Sequence, residues 1–424
     1  MELGSQTGAP RASALRLDPY DREQSRDPYP TYRLLRDLEP AHRNDEHGFW
    51  ALSRHADVLA AFLDPATFSS ARGSFLHDDP ARVGRTLGTT DPPRHDRLRR
   101  LASAGFAVRR VAELEPTVRE IAASLLAPAR ATGRLDVARE YATPLASAVI
   151  ARILGLPAED VPRIQGWAER SVRVGAGEEH GSEAQREALA ALLAYLDAAV
   201  EVRRARPGDF EDVLGDLVRA EIDGDRLADD ELRWLAQALF VAGYDTTAGA
   251  IGNAASLLAE HPDARRRLRE RPELLPDAVE EILRWDSPAQ GFQRTLTRAV
   301  ALHGRRLEAG DRVLLLPGAA NRDEREFDDP DAFRIERRPR RHVALGQGIH
   351  YCLGAPLARL ELRVALAELL ARAGDYEVDR LAAERAHTAR FMLRGFSRLP
   401  IHFEREARAT GSARAGTARE RGRS

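Results

Sequence analysis

The stretch from Arg341 to Arg359 constrains this chain more than any other, because it contains the only cysteine among 424 residues. A single cysteine rules out a disulfide framework and any multi-cysteine zinc site, so the fold must rest on its core. Within the stretch, Gly346, Gly348 and Gly354 allow backbone turns that a side chain would forbid. From Leu353 onward, Leu357, Leu360 and Leu366 recur among Ala, Arg and Glu at helical spacing. Cys352 therefore falls in a tight loop at a helix N-terminus, where unpaired N–H groups and the helix dipole favour a thiolate. Two readings follow. One is a small buried hydrophobe, the commoner use of a free cysteine; the other is a metal ligand, such as the axial thiolate of a haem iron. A dinucleotide-binding reading fails, because Tyr351 stands where the third glycine of that fingerprint belongs and no strand precedes Gly346.

Hydrophobic residues make up 43% of the chain, ample for a core, and 66 acidic residues nearly cancel 64 basic ones. That balance argues against a nucleic-acid binder. Every basic residue is an arginine, the mark of a GC-rich bacterial genome such as an actinomycete's. Met1 to Arg16 has no apolar run, so neither a signal peptide nor a membrane anchor is expected, and the expected location is the cytoplasm. Residues 1–15 and 405–424 lack periodicity and are expected to be disordered; residues 16–404 read as one large domain.

Helical patterns run from Asp27 to Leu38 and from His55 to Leu63, with a short strand at Gly48–Leu52 between them. Ser69–Thr90 is polar and glycine-punctuated, and a loop of that length is commonly functional. Asp91 to Arg100 opens a helix on which His95 and Arg99, four apart, share a face; by spacing alone this is a solvated basic face. Arg109–Ala131, Thr143–Leu154, Asp160–Val174 and Ala184–Arg204 are predicted helices. The link Gly175–Gly181 is a candidate lid or an ordinary surface loop. Asp229–Glu260 is the longest helical pattern, with Asp229 or Asp230 as candidate caps and Pro262 beyond its end. Its middle holds Ala242, Gly243, Tyr244, Asp245, Thr246 and Thr247, with further glycines at Gly249 and Gly252. Gly beside an acid and two hydroxyls is where a long helix could open a turn; close helix packing is the other reading, plausible for Gly249 and Gly252. Glu281 and Arg284 are three apart on a following helix, Arg294 lies in a strand pattern, and Arg337–Arg341 is strongly basic. Short strands close the chain at Tyr376–Asp379, Phe391–Gly395 and Leu399–Phe403.

In this order and spacing the segments resemble the cytochrome P-450 (haem-thiolate monooxygenase) family, of the soluble bacterial type, over residues 16–404. Gly346, Gly348, His350, Cys352, Leu353 and Gly354 match its cysteine loop in register. Leu345 departs from it, standing where the family usually has a Phe that shields the thiolate. The resemblance implies a mostly α fold with small β-sheets in a single large domain, and one haem b between the long helix and the cysteine loop. Cys352 would be the proximal iron ligand, with His95, Arg99, Arg294 and His350 toward the propionates and Ala242, Gly243 and Gly354 against the cofactor. It assigns Gly243, Asp245 and Thr246 to the dioxygen groove, where a Thr hydroxyl holds water and an acid replenishes protons. Glu281, Arg284 and Arg337 would form a buried scaffold.

The implied activity is oxygen activation followed by hydroxylation or epoxidation of a mainly apolar small molecule, in secondary-metabolite tailoring. With no room for a flavin domain, electrons are expected from a separate ferredoxin and its NAD(P)H-dependent reductase. Candidate substrate contacts are Phe75, Leu76, Leu239, Ala242, Ala289, Gln290, Phe292, Phe391 and Met392. A peroxide-driven enzyme is disfavoured by Asp245 and Thr246. Oxidative C–C or aryl coupling on the same scaffold, and a non-catalytic haem-binding or interaction protein, stay open.

Overall fold

The computed structural model describes residues 15–76, 78–103, 106, 108–172, 182–386 and 393–404. Phe391, Met392, the Gly175–Gly181 link and both chain ends lie outside the described residues. Helices dominate the rest. Among the described residues the longest are Asp229–Glu260, Glu183–Ala205, Ala355–Ala373 and Glu115–Thr132, and Thr143–Ile153 packs along the first of them. The main hydrophobic cluster lies among these helices and includes Tyr141, Leu145, Ile150, Phe240, Ile251, Leu366 and Leu369. Val161–Val172 and Glu183–Ala205 pack on one another at its edge.

Several predicted elements differ in detail. The helix expected over 109–131 is two, Val108–Ala112 and Glu115–Thr132, and the break falls where Pro116 fits a first turn but not an interior. Val213–Arg219, Pro262–Glu270 and a small hairpin of Glu221–Ile222 with Asp225–Arg226 were not predicted, being too short for periodicity to register. Neither Asp229 nor Asp230 caps the long helix: Ala228 is the cap residue, and the acids occupy the first turn. There Asp229 bonds Arg204, Asp230 pairs with Arg85, and Glu231 accepts from Arg97. The acids also suit the positive end of the helix dipole.

The long helix does not open a turn. It is continuous from Asp229 to Glu260, and its glycines serve close approach instead. A Cβ on Gly243 would lie 2.7 Å from the Ile150 side chain, and one on Gly249 3.1 Å from the Arg394 carbonyl. Gly252 has ordinary room, its nearest neighbour at 3.5 Å.

The larger sheet has five strands in the order Ala41–Asn44, Phe49–Leu52, Arg312–Leu315, Phe292–Leu296 and Phe68–Ser69. Register pairs Arg294 with Val313, which sets Arg294 in the interior. A smaller sheet of Tyr376–Val378, Pro400–Phe403 and Arg134–Asp136 closes the chain against the Glu115–Thr132 helix. Among the described residues, no helix is long and apolar enough to cross a membrane.

Candidate active site

The cysteine loop is built on two left-handed glycines. Gly346 has φ 70° and Gly348 φ 67°, and a Cβ on Gly348 would stand 2.5 Å from the Phe62 carbonyl oxygen. No side chain fits there without moving the backbone of the helix His55–Leu63. The Cys352 N–H donates to the Leu345 carbonyl at 2.9 Å, closing the loop, and the helix starts at Ala355. Leu345 is half-buried against the main core, so it fills the position as an apolar residue.

Burial pushes the Cys352 thiol up, while the Gly354 N–H and the charges of Arg99 and Arg359 pull the other way without prevailing. In the loop by itself, desolvation therefore favours the neutral thiol over the thiolate that a helix start suggests. A coordinated cation would supply what is lacking, since a thiol ligand is held deprotonated by the metal.

Four basic side chains gather beside the loop. The rings of His95 and His350 stand 4.6 Å apart at 66°. Arg99 Nη1 donates to the carbonyls of Tyr351 at 2.6 Å and Ile349 at 3.3 Å, on either side of His350. Arg294 is buried, and its Nη1 donates to the Gln293 carbonyl at 2.8 Å. His350 is pushed down to about 3, by burial first and then by the charges of Arg294, His95 and Arg99. Arg294 is lowered to about 10 by burial, which Asp91 only partly offsets.

Arg294, a buried cation short of counter-charge, calls for an anion. Both His95 Nε2 and His350 Nε2 are buried with no hydrogen-bond partner among the described residues, two further donors in waiting. The set fits the two carboxylates of a haem, with Cys352 on the adjacent loop as iron ligand. Ala242, in mid-helix, is exposed while its neighbours Phe240 and Tyr244 are buried, so that face of the long helix borders open space. On the same face Thr246 is half-buried, and its hydroxyl donates to the Ala242 carbonyl at 3.0 Å. Asp245 is half-buried beside it.

The Glu/Arg scaffold comes together. Arg284 meets Glu281 through Nε at 2.7 Å and Nη2 at 2.9 Å, with neither side chain exposed, and Arg337 Nε reaches Glu281 at 3.1 Å. The Arg334 N–H adds 3.0 Å to the same carboxylate oxygen. Arg284 Nη1 also holds the carbonyls of Asn321 and Pro330, at 2.8 and 2.9 Å.

The substrate candidates divide. Phe75 and Phe292 are neighbours, with ring centroids 6.1 Å apart, and Phe292 also meets Phe62, over which Arg294 lies. Leu239 is half-buried on the long helix. Leu76 is buried in a different cluster, with Leu17, Tyr32 and Leu316. Gln290 is buried against Gly318, donating to the Ser287 carbonyl at 2.6 Å, and Ala289 bridges to Leu393. The basic run 337–341 is less free than its composition suggests: Arg337 is engaged internally, Arg338 pairs with Asp277 and Arg341 with Glu326. Sequence reasoning missed Glu280, His342 and the role of Arg359, which form a second network behind the loop; the acid at 280, next to Glu281, was the available signal.

A half-buried thiol on a glycine-built loop, beside two arginines and two histidines with unpartnered ring nitrogens, is the set a haem-thiolate protein needs. The cytochrome P450 family profile matches residues 182–373. The chain is 41% identical over 370 residues to cytochrome P450 130 of Mycobacterium tuberculosis, covering 83% of this chain and 89% of that one. It is 38% identical over 360 residues to the cyclomarin C epoxidase CymV of Salinispora arenicola, covering 82% and 90%. The LnmA cytochrome P450 hydroxylase from the leinamycin biosynthetic pathway of Streptomyces atroolivaceus superposes with a TM-score of 0.79 at 40% identity, covering 88% and 96%. This chain belongs to the cytochrome P450 family. It is accordingly a monooxygenase-type oxidoreductase whose cofactor is haem b.

Proposed function

We propose that the protein hydroxylates or epoxidises a mainly apolar small molecule, an intermediate of secondary metabolism, with electrons from a separate ferredoxin and NAD(P)H-dependent reductase in a bacterial cytoplasm. The observation that supports this reading is the gathering of His95, Arg99, Arg294 and His350 at the loop that carries Cys352. The hydroxylase and epoxidase among its relatives support the reaction class. When bound, the haem activates dioxygen and, through its thiolate, favours O–O cleavage.

Cys352 would ligate the iron. His95, Arg99, Arg294 and His350 would hold the two carboxylates, and Ala242, Gly243 and Gly354 would border the ring. Glu281, Arg284 and Arg337 keep the wall behind it rigid. Thr246 spends its proton on the Ala242 carbonyl, which leaves its oxygen free to accept a hydrogen bond from water and hold that water in place. Asp245, one residue away, passes protons in from solvent. Phe75, Phe292 and Leu239 form an apolar wall for substrate; Phe391 and Met392 are proposed to extend it, and Leu76 and Gln290 to act from behind it.

Thr246→Ala tests the proton route. NAD(P)H consumption is expected to continue while product formed per NAD(P)H falls about ten-fold or more. Unchanged coupling would mean protons arrive another way. Product mass decides the outcome class: a gain of oxygen supports the proposal, and a loss of hydrogen alone would replace it with oxidative coupling.

A further inference from the structure

Glu280 and Glu281 are adjacent on the helix Leu275–Trp285 but serve different neighbours. Glu281 anchors Arg284 and Arg337; Glu280 turns to the cysteine loop. Arg359, early in the helix that follows Cys352, grips Glu280 with a fork, Nε to Oε1 at 2.6 Å and Nη2 to Oε2 at 2.9 Å. Its Nη1 donates to the Tyr351 hydroxyl at 2.9 Å, on the residue next to Cys352. At the other end of the loop, His342 Nε2 lies 3.0 Å from Glu280 Oε2, while its Nδ1 accepts the Ala344 N–H at 3.3 Å. That acceptor role puts the ring proton on Nε2, so His342 donates to Glu280. One carboxylate thus ties residues 342, 351 and 359 to a separate helix, and the guanidinium fork is the strongest geometry such a tie takes. Arg359 stands between Tyr351 and Glu280, and its charge bears on the Cys352 sulfur.

We propose that Arg359 and Glu280 are positioning residues for the axial thiolate, fixing the cysteine loop and setting the haem reduction potential through the balance of their two charges. The inference rests on Cys352 being the iron ligand. Reduction adds one negative charge to the site, so a nearby cation favours the reduced form and a nearby anion opposes it.

The test is a spectroelectrochemical titration of the haem-loaded protein. Arg359→Gln is expected to move the potential to more negative values and Glu280→Gln to more positive ones. Arg359→Lys, which keeps the charge without the fork, should fall between Arg359→Gln and the native protein. Tyr351→Phe removes one bond and no charge, so it should stay closer to native than either charge-removing variant. A merely structural role would move both charge-removing variants the same way, since each loosens the loop. If Arg359→Gln fails to load haem, Glu280→Gln decides alone, and a potential at or below native overturns the inference. The reduced carbon monoxide spectrum is recorded first. Absence of thiolate-type absorbance in the native protein would defeat the assignment of Cys352, whereas thiolate ligation with potentials that move together or not at all defeats this inference only.

Discussion

Replacing Glu281 by glutamine keeps its shape and removes one charge from a cluster that water does not reach. Glu281 and Arg284 are both fully buried, and Arg337 is close to it. In the variant the Arg284 guanidinium stays in place with two backbone carbonyls and an amide, but no anion. Removing one partner of a buried pair in this way costs about 3–5 kcal/mol, because the other charge is left uncompensated. The gain of entropy at the melting point is ~2.1 cal/mol/K per residue, or on the order of 0.9 kcal/mol/K for a chain of 424 residues. The melting temperature should therefore fall by about 3–6 °C. Differential scanning calorimetry of haem-loaded protein at one scan rate measures it. Glu260→Gln is the control: its pair with Arg380, at 3.1 Å, is largely exposed, so the change should be under about 1 kcal/mol. A Glu281→Gln protein melting within about 1 °C of native would refute the reasoning, since its burial would then be carrying no electrostatic cost.

Three further perturbations test the site. Gly348→Ala forces a side chain into a left-handed turn against the Phe62 carbonyl; at least ~1–2 kcal/mol of strain is expected, seen as lower haem content per chain, and full loading would contradict it. Arg294→Met removes a buried cation whose burial Asp91 only partly offsets. Haem transfer to an acceptor apoprotein should quicken by about 10–150-fold, the worth of a charged hydrogen bond of ~1.5–3 kcal/mol, while the haem-free chain melts no earlier than native; unchanged transfer would remove Arg294 from the carboxylate site. Burial raises the Glu280 carboxyl, but the hydrogen bonds from His342 and Arg359 outweigh it and bring it to about 2. A carboxyl lowered in the folded state stabilises it above its unfolded value of ~4.5, and that stability, up to about 3 kcal/mol, is lost as pH falls from there toward 2. Glu280→Gln should thus show a shallower acid limb in urea titrations between pH 5 and 3, and an identical limb would count against it.

Much of this was legible in the sequence, for identifiable reasons. Asp229–Glu260 announced its own limits because a pattern that long leaves little choice of boundary. Cys352 and the glycines around it were readable because only glycine takes the turns at 346 and 348. His95, Arg99, Arg294 and His350 came from resemblance; spacing alone gave a solvated face for the first two, and only tertiary packing shows all four converging and His95 and Arg294 buried. Of the two readings of the long helix, the opened turn fails and close packing holds for Gly249 though not for Gly252: Gly243 and Gly249 allow the approach of Ile150 and the Arg394 backbone, contacts from segments far away in the chain. Arg359 was hidden for the same reason. Its partner Glu280 lies 79 residues earlier, and a charged residue on a helix carries no local sign of which distant group it will meet.

The most direct test of the central claim is the absorbance spectrum of the reduced, carbon monoxide-bound protein, native against Cys352→Ser, with haem content measured on both. A cysteine thiolate on the iron predicts the thiolate-type Soret band in the native protein and its loss in the variant. A native protein that binds no haem, or a variant that keeps the band, would contradict the account.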